Sequence, residues 1–87
     1  MKTKGINILE EKLREYKGED ATISISHKLY GGQKLQTKLD YIFDDQRVGF
    51  RINKQEIYVH RDEIVDYGVK DGIHFADDVM EIKIKVQ

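Results

Sequence analysis

The chain has 87 residues, 39% of them hydrophobic, and 15 Lys and Arg residues stand against 16 Asp and Glu residues for a formal net charge of −1. This length predicts one domain over residues 1–87, and the absence of cysteine excludes a disulfide framework, a thiolate metal site and a thiol nucleophile. The near-zero net charge provides no overall electrostatic attraction to nucleic acid or to an anionic membrane.

The first predicted element is an amphipathic helix over residues 7–17. Four apolar residues recur at intervals of three and four and therefore share one stripe of that helix: Ile6, Leu9, Leu13 and Tyr16. Asn7 is the expected N-cap, with Glu10 at the reciprocal position of a capping box. Gly18 is expected to end the helix in the left-handed conformation.

After the helix the apolar period changes from 3.6 to 2, which predicts an antiparallel strand meander over about residues 21–87. Six or seven short strands are expected, on the alternating segments 21–25, 35–43, 48–52, 57–60, 64–69, 73–75 and 80–86. Segments rich in Gly, Asp or Asn predict the turns between them: 28–33, 44–46, 53–55, 71–72 and 77–78. The segment 35–43 spans about 30 Å at about 3.3 Å per residue, so we expect it to bend.

One short helix covers too little of a flat sheet of this size, which favours a sheet that curls around its own apolar face. The predicted fold is therefore mainly β with one N-terminal helix, as a small, partly open antiparallel β-barrel. The alternative is a single curved antiparallel sheet with the helix packed across it.

The longest uninterrupted apolar stretch is three residues, 41–43, which is far too short for a membrane-spanning helix. The basic N-terminus is not followed by an apolar run of the length that a secretory signal needs. We therefore expect a cytoplasmic protein with no membrane partner.

Three local features accompany the order of elements: a helical segment at 8–13, an acidic turn at 43–46 after the second predicted strand, and Tyr58-Val59-His60 on the fourth. Over about residues 6–69 this arrangement resembles the Sm-like family, and above all the bacterial Sm-like RNA chaperones of the Hfq family. That family has an RNA-facing helix, an acidic turn and Tyr-Lys-His at the corresponding places. The resemblance implies a ring-forming small barrel that binds single-stranded RNA.

Three features depart from the Sm-like pattern. Val59 replaces the lysine of Tyr-Lys-His, and segment 28–33 is longer than the family's tight turn after the first strand. Further strands are predicted after Val69, where the family barrel ends, and they could cover the edges through which Sm-like rings close.

Charge is distributed unevenly along the chain. Residues 28–61 contain seven basic and four acidic residues, a balance of +3, whereas residues 62–78 contain one basic and six acidic residues, a balance of −5. Basic residues interleaved with aromatic ones are typical of surfaces that bind single strands by phosphate contact and base stacking. The candidate nucleic-acid contacts are Lys34, Lys38, Arg47, Arg51, Tyr58 and His60, and the alternative is that these are ordinary solvated positions.

No arrangement of residues predicts a metal site, a cofactor or catalysis. The acidic residues of 66–78 lack the spacing of a calcium loop and are explained as turn residues. Ser26 and His27 are adjacent, so on a strand they point to opposite faces and cannot act as nucleophile and base. We therefore predict no enzyme.

Two functional hypotheses follow. The first is a non-enzymatic module that binds single-stranded RNA or DNA, as the basic and aromatic block suggests. The alternative is a protein-interaction or self-assembly module, including a homo-oligomer, that pairs through exposed strand edges.

Overall fold

The structure is a computed structural model and describes residues 5–86. One helix, α1 (Asn7–Tyr16), precedes eight strands. The strands are β1 (Asp20–His27), β2 (Gly31–Lys38), β3 (Tyr41–Phe43), β4 (Arg47–Ile52), β5 (Gln55–His60), β6 (Asp66–Gly68), β7 (Ile73–Ala76) and β8 (Met80–Val86). A short 3₁₀ turn at Arg61–Glu63 forms the corner between β5 and β6.

The strands form two antiparallel sheets. Five strands pair in the order β2-β1-β8-β7-β6, and three pair in the order β3-β4-β5. The prediction of a mainly β fold with one N-terminal helix is confirmed. The two sheets are not closed into a barrel across residues 5–86, and the alternative of an antiparallel sheet with a packed helix fits the arrangement.

The expected count of six or seven strands was one too low, because segment 35–43 is divided between the two sheets. The chain leaves β2 at Lys38 and enters β3 at Tyr41. Leu39, between them, is almost fully buried, and its carbonyl accepts a hydrogen bond from the backbone N–H of Gly18 at 2.9 Å. This anchor to the end of the helix redirects the chain, so the bend expected from length becomes a change of sheet.

The strands beyond Val69 complete the larger sheet. β8 pairs with β1 along Ala21–His27, on the side of β1 opposite to β2. The C-terminal segment therefore covers one edge of the first strand, as the sequence suggested. Two residues with left-handed φ make the turn into β7: Asp71 at 58° and Gly72 at 113°.

The two sheets and the helix share one apolar core. Along β1 and β8 its buried side chains alternate with outward polar ones, as the period of two predicted. The core comprises Ile6, Leu9, Leu13, Ala21, Ile23, Ile25, Leu39, Val48, Phe50, Val59, Ile64, Ile73, Phe75, Ile82 and Ile84. The polar faces of both sheets are therefore left toward solvent.

The helix is held by its apolar stripe rather than by a side-chain cap. Ile6 is the N-cap and makes no side-chain cap hydrogen bond, so the prediction that Asn7 caps the helix was wrong. Asn7 instead lies inside the first turn, and its Oδ1 accepts a hydrogen bond from Arg61 at 3.4 Å. Burial of Ile6 displaces the cap, because its apolar side chain contributes about 1.5–3 kcal/mol when removed from water. Gly18, with φ of 80°, ends the helix region as expected.

Candidate nucleic-acid interface

The six predicted contact residues lie on two different sheets. Lys34 and Lys38 lie on β2 of the five-stranded sheet. The others lie on β4 and β5 of the three-stranded sheet: Arg47, Arg51, Tyr58 and His60. The two lysines and the two arginines therefore do not share one sheet face, because β2 and β4 belong to separate sheets.

Arg47 is held by two carboxylates. Its guanidinium lies 3.0 Å from an oxygen of Asp44 and 2.7 Å from an oxygen of Glu56. The hydrogen bond to Asp44 is the largest of the causes that raise the pKa of Arg47 above its ordinary value. Asp44 also accepts the backbone N–H groups of Gln46 and Arg47, and the bond from Gln46 contributes most to lowering the pKa of Asp44. Arg47 thus fixes the turn before β4.

Arg51 is neutralised in the same way. It lies 3.2 Å from Glu56 and 3.4 Å from Asp40. The outer side of the three-stranded sheet therefore places two arginines among three carboxylates, so that neither guanidinium is free to neutralise a phosphate. A bound phosphate would have to displace these carboxylates.

The two aromatic candidates pack against each other and against Arg47. The guanidinium carbon of Arg47 lies 5.3 Å from the centre of the Tyr58 ring, and the rings of Tyr58 and His60 meet edge to face at 5.8 Å. A cation over the tyrosine face stabilises this arrangement by about 0.5–1 kcal/mol at an exposed site. The structure therefore brings four of the six predicted residues into one region, where contacts within the protein already use them.

The two lysines of β2 differ from each other. Lys38 lies 3.2 Å from Asp20, its direct neighbour on β1. Lys34 forms no salt bridge with any of residues 5–86. Of the four cationic side chains predicted as contacts, Lys34 is therefore the one without a carboxylate partner in the described part of the chain.

Lys34 belongs to a row of side chains that crosses the outer face of the five-stranded sheet. In the strand register, Lys34 is opposite Ser24, Ser24 is opposite Lys83, and Lys83 is opposite His74. Direct cross-strand partners project from the same face at strand spacings of about 4.8 Å, which places the backbones at Lys34 and Lys83 about 10 Å apart. We call Lys34, Ser24, Lys83 and His74 the lysine row.

A neighbouring row adds another lysine to this face. Lys85 is opposite Thr22, which is opposite Gln36 on β2. Lys83 and Lys85, like Lys34, have no salt bridge within residues 5–86. His74 is the exception on this face, because its Nε2 lies 3.4 Å from a carboxylate oxygen of Asp66.

A shallow groove follows the lysine row. It has a volume of about 500 Å³ and is lined by Ser24, Ile25, Ser26, Gly32, Gln33, Lys34, Glu81 and Lys83. Ser24, Ser26 and Gly32 have small side chains, which leave space between Lys34 and Lys83. The serine hydroxyls can donate hydrogen bonds to an anion. Glu81 is the acidic member of the groove, so a polyanion would be held most strongly toward Lys34, Lys83 and Lys85.

Comparison of the chain with known protein families, curated proteins and solved structures found no significant match. Within residues 5–86, no helix is long and apolar enough to cross a membrane. The same residues contain no group of three or more histidines and carboxylates placed to hold a metal ion.

Lys83 and Lys85 were absent from the sequence-based site. The sequence predicts that they point outward, because they alternate with apolar residues in segment 80–86. The sequence does not predict that they lie close to Lys34, because this depends on the pairing of β8 with β1, which are separated by more than 50 residues in sequence. The charge balance of 28–61 favoured a site within one contiguous segment. Pairing of β8 with β1 instead brings Lys83 and Lys85 close to Lys34.

Proposed function

We propose that this protein is a non-enzymatic binding module that holds a single-stranded nucleic acid by its phosphates across the outer face of the five-stranded sheet. The proposal is carried by three ammonium groups on one open polar face that have no carboxylate partner among residues 5–86: those of Lys34, Lys83 and Lys85. Unpaired cations on such a face are available to neutralise phosphates, unlike Arg47 and Arg51.

The composition of this face also favours binding with little dependence on base sequence. The outward positions of β1, β2 and β8 carry no tyrosine, phenylalanine or tryptophan on which a base could stack. Affinity would then come from phosphate neutralisation and hydroxyl contacts. The Sm-like resemblance of residues 6–69 and a cytoplasmic location remain predictions that agree with this function.

The test is a fluorescence-anisotropy titration of oligo-uridine and oligo-adenine at about 50 mM and about 200 mM salt. Three neutralised phosphates on a single strand predict a slope of about −2 for log affinity against log salt, since each contributes about 0.7. The fourfold rise in salt should then weaken binding about twentyfold, to a similar degree for both oligonucleotides. No binding at the lower salt concentration would exclude this function.

Variants locate the surface. The double substitution Lys34→Gln and Lys83→Gln should reduce the slope to about −0.7, because one of the three cations remains. The matched variant Tyr58→Leu with His60→Gln changes the candidate residues of the three-stranded sheet and should leave the slope unchanged. The reverse pattern would place binding on β4 and β5.

A second candidate function is protein interaction or self-assembly at the β1–β2 hairpin. Leu29 and Tyr30 in its loop are 79% and 84% exposed, and the outer edge of β2 is unpaired within residues 5–86. Exposed apolar side chains beside a free edge are typical of surfaces that pair with another strand. Lys34 and Lys38 lie on the same strand, and lysines on an edge disfavour such pairing, which ranks this function second.

Light scattering over a concentration series tests self-assembly. A constant monomeric mass would count against a homo-oligomer, whereas a mass that rises with concentration and falls for Leu29→Ser would support the hairpin as the contact. A ring of six or seven copies would instead support the Sm-like resemblance.

A further inference from the structure

A second, smaller pocket lies at one end of the lysine row, beside the turn between β6 and β7. Its volume is about 230 Å³, and it is lined by Lys70, Asp71, Ile73, His74, Lys83 and Lys85. We call it the turn pocket. Because Lys83 belongs to both depressions, the turn pocket continues the groove toward β7.

The fold positions each lysine of the turn pocket separately. Lys83 is the direct cross-strand partner of His74. The stem of Lys85 passes over Gly72, where an added methyl group would lie 3.1 Å from the Cγ atom of Lys85. Lys70 comes from the turn itself, whose path is set by the left-handed φ values of Asp71 and Gly72. Two cations from β8 and one from the turn between β6 and β7 therefore border one small volume.

The turn pocket has a surplus of positive charge. Lys70, Lys83 and Lys85 form no salt bridge with residues 5–86, and Asp71 is the single carboxylate among the lining residues. The His74 ring lies over Gly68, where an added methyl group would come within 2.6 Å of it, and its Nε2 faces Asp66. His74 thus already has a carboxylate neighbour in Asp66. The three positive lysines and the one negative Asp71 give the lining of the turn pocket a net charge of about +2.

Size and charge together select the group that fits. Pockets that enclose drug-sized ligands have volumes of about 300–1,000 Å³, so the turn pocket holds one functional group rather than a whole nucleotide chain. A phosphomonoester carries a charge of about −1.5 to −2 near pH 7, whereas each phosphodiester of a strand carries one. The surplus in the turn pocket therefore matches a phosphomonoester better than an internal phosphate.

We propose that the turn pocket binds the terminal phosphate of the nucleic acid strand, so that the protein prefers strands with a phosphorylated end. This inference rests on the proposed function, since the strand that reaches the turn pocket is the one held along the lysine row. Substitution of Lys70 can test this inference separately from the proposed function, because Lys70 lines the turn pocket and is not among the residues that line the groove.

The experiment compares three oligo-uridines of about ten nucleotides, a length within the range that single-strand binding modules cover. One has hydroxyl groups at both ends, one carries a 5′-phosphate, and one carries a 3′-phosphate. We expect one of the two phosphorylated strands to bind about tenfold more tightly than the hydroxyl strand at low salt, equivalent to about 1.4 kcal/mol. The identity of that strand gives the direction in which the nucleic acid crosses the sheet.

The variant Lys70→Ala should abolish the preference while leaving the affinity for the hydroxyl strand within about twofold, a change of about 0.4 kcal/mol. The control Lys12→Ala removes a half-buried lysine of α1, which pairs with Glu15, and should keep the preference. Equal binding of all three strands by the unmodified protein would overturn this inference and leave the proposed function standing. A preference that survives in Lys70→Ala would also overturn it, and absence of binding to every strand would overturn both proposals.

Discussion

β4 and β5 approach each other closely at Gly49, so the substitution Gly49→Ala, which adds one methyl group, tests the packing of these two strands. Gly49 is opposite Tyr58 in the strand register and is buried. A Cβ added at Gly49 would lie 2.0 Å from the carbonyl oxygen of Ile57 and 2.5 Å from the Cα of Tyr58. Ordinary carbon–oxygen contacts are about 3.3–3.6 Å, so β5 would have to move by more than about 1 Å.

Such a movement distorts the ladder on both sides of Gly49, and we expect Gly49→Ala to cost about 3 kcal/mol or more, at the upper end for overpacking. A domain of this length has a total stability of about 4–13 kcal/mol. The substitution therefore removes a large fraction of it. With about 4–8 °C per kcal/mol for a domain of this size, the Tm should fall by at least about 12 °C.

Gly32→Ala is the matched control on β2. Its φ is outside the left-handed region, and an added Cβ would lie 3.7 Å from its nearest neighbour, the carbonyl oxygen of Ile25. Alanine at a compatible position restricts the unfolded chain and stabilises by about 0.4–1 kcal/mol. Thermal denaturation followed by circular dichroism measures both variants, and Tm values within about 2 °C of each other would refute the packing of β4 on β5.

Three further predictions concern the acid limb of stability, the core and the hairpin. Because the folded protein lowers the pKa of Asp44, its contribution to stability is present above the ordinary pKa and is lost as the pH falls through the lowered one. The free energy of unfolding should therefore fall more steeply below about pH 4 in the unmodified protein than in Asp44→Asn, and parallel curves in urea denaturation would contradict this. Phe75 is fully buried, so Phe75→Ala should cost about 3–5 kcal/mol in the same assay, and a cost below about 1 kcal/mol would contradict its place in the core. Leu29→Ser should change stability by less than about 0.5 kcal/mol, because the side chain is 79% exposed, and a larger loss would show that the hairpin loop packs on the protein.

Local patterns predicted the elements well, because their signals lie within a few residues of each other. The alternation around Ile23 and Ile82, the apolar stripe through Leu9 and Leu13, and the Asp71-Gly72 turn were all readable from the sequence. The cap at Asn7 was misplaced because burial of Ile6 outweighs the capping preference.

Arrangement over longer distances was less predictable. No local signal shows that Leu39 binds Gly18 and sends the chain into a second sheet. Nor does composition show that Arg47 pairs with Asp44 and Glu56, whereas Lys34 has no salt bridge within residues 5–86. The sequence therefore predicted one part of the candidate site, the lysines of β2. It did not predict the lysines of β8, because their position beside β2 depends on the pairing of β8 with β1, which are far apart in the chain.

Chemical-shift mapping by nuclear magnetic resonance tests the central claim most directly. The ¹⁵N-labelled protein is titrated at low salt with oligo-uridine, and the backbone amides that respond are located on the sheets. The lysine row predicts changes concentrated at Ser24, Lys34, Lys83 and their neighbours on β1, β2 and β8, with β4 and β5 unaffected. Changes confined to Arg47, Tyr58 and the rest of the three-stranded sheet, or no change at all, would contradict it.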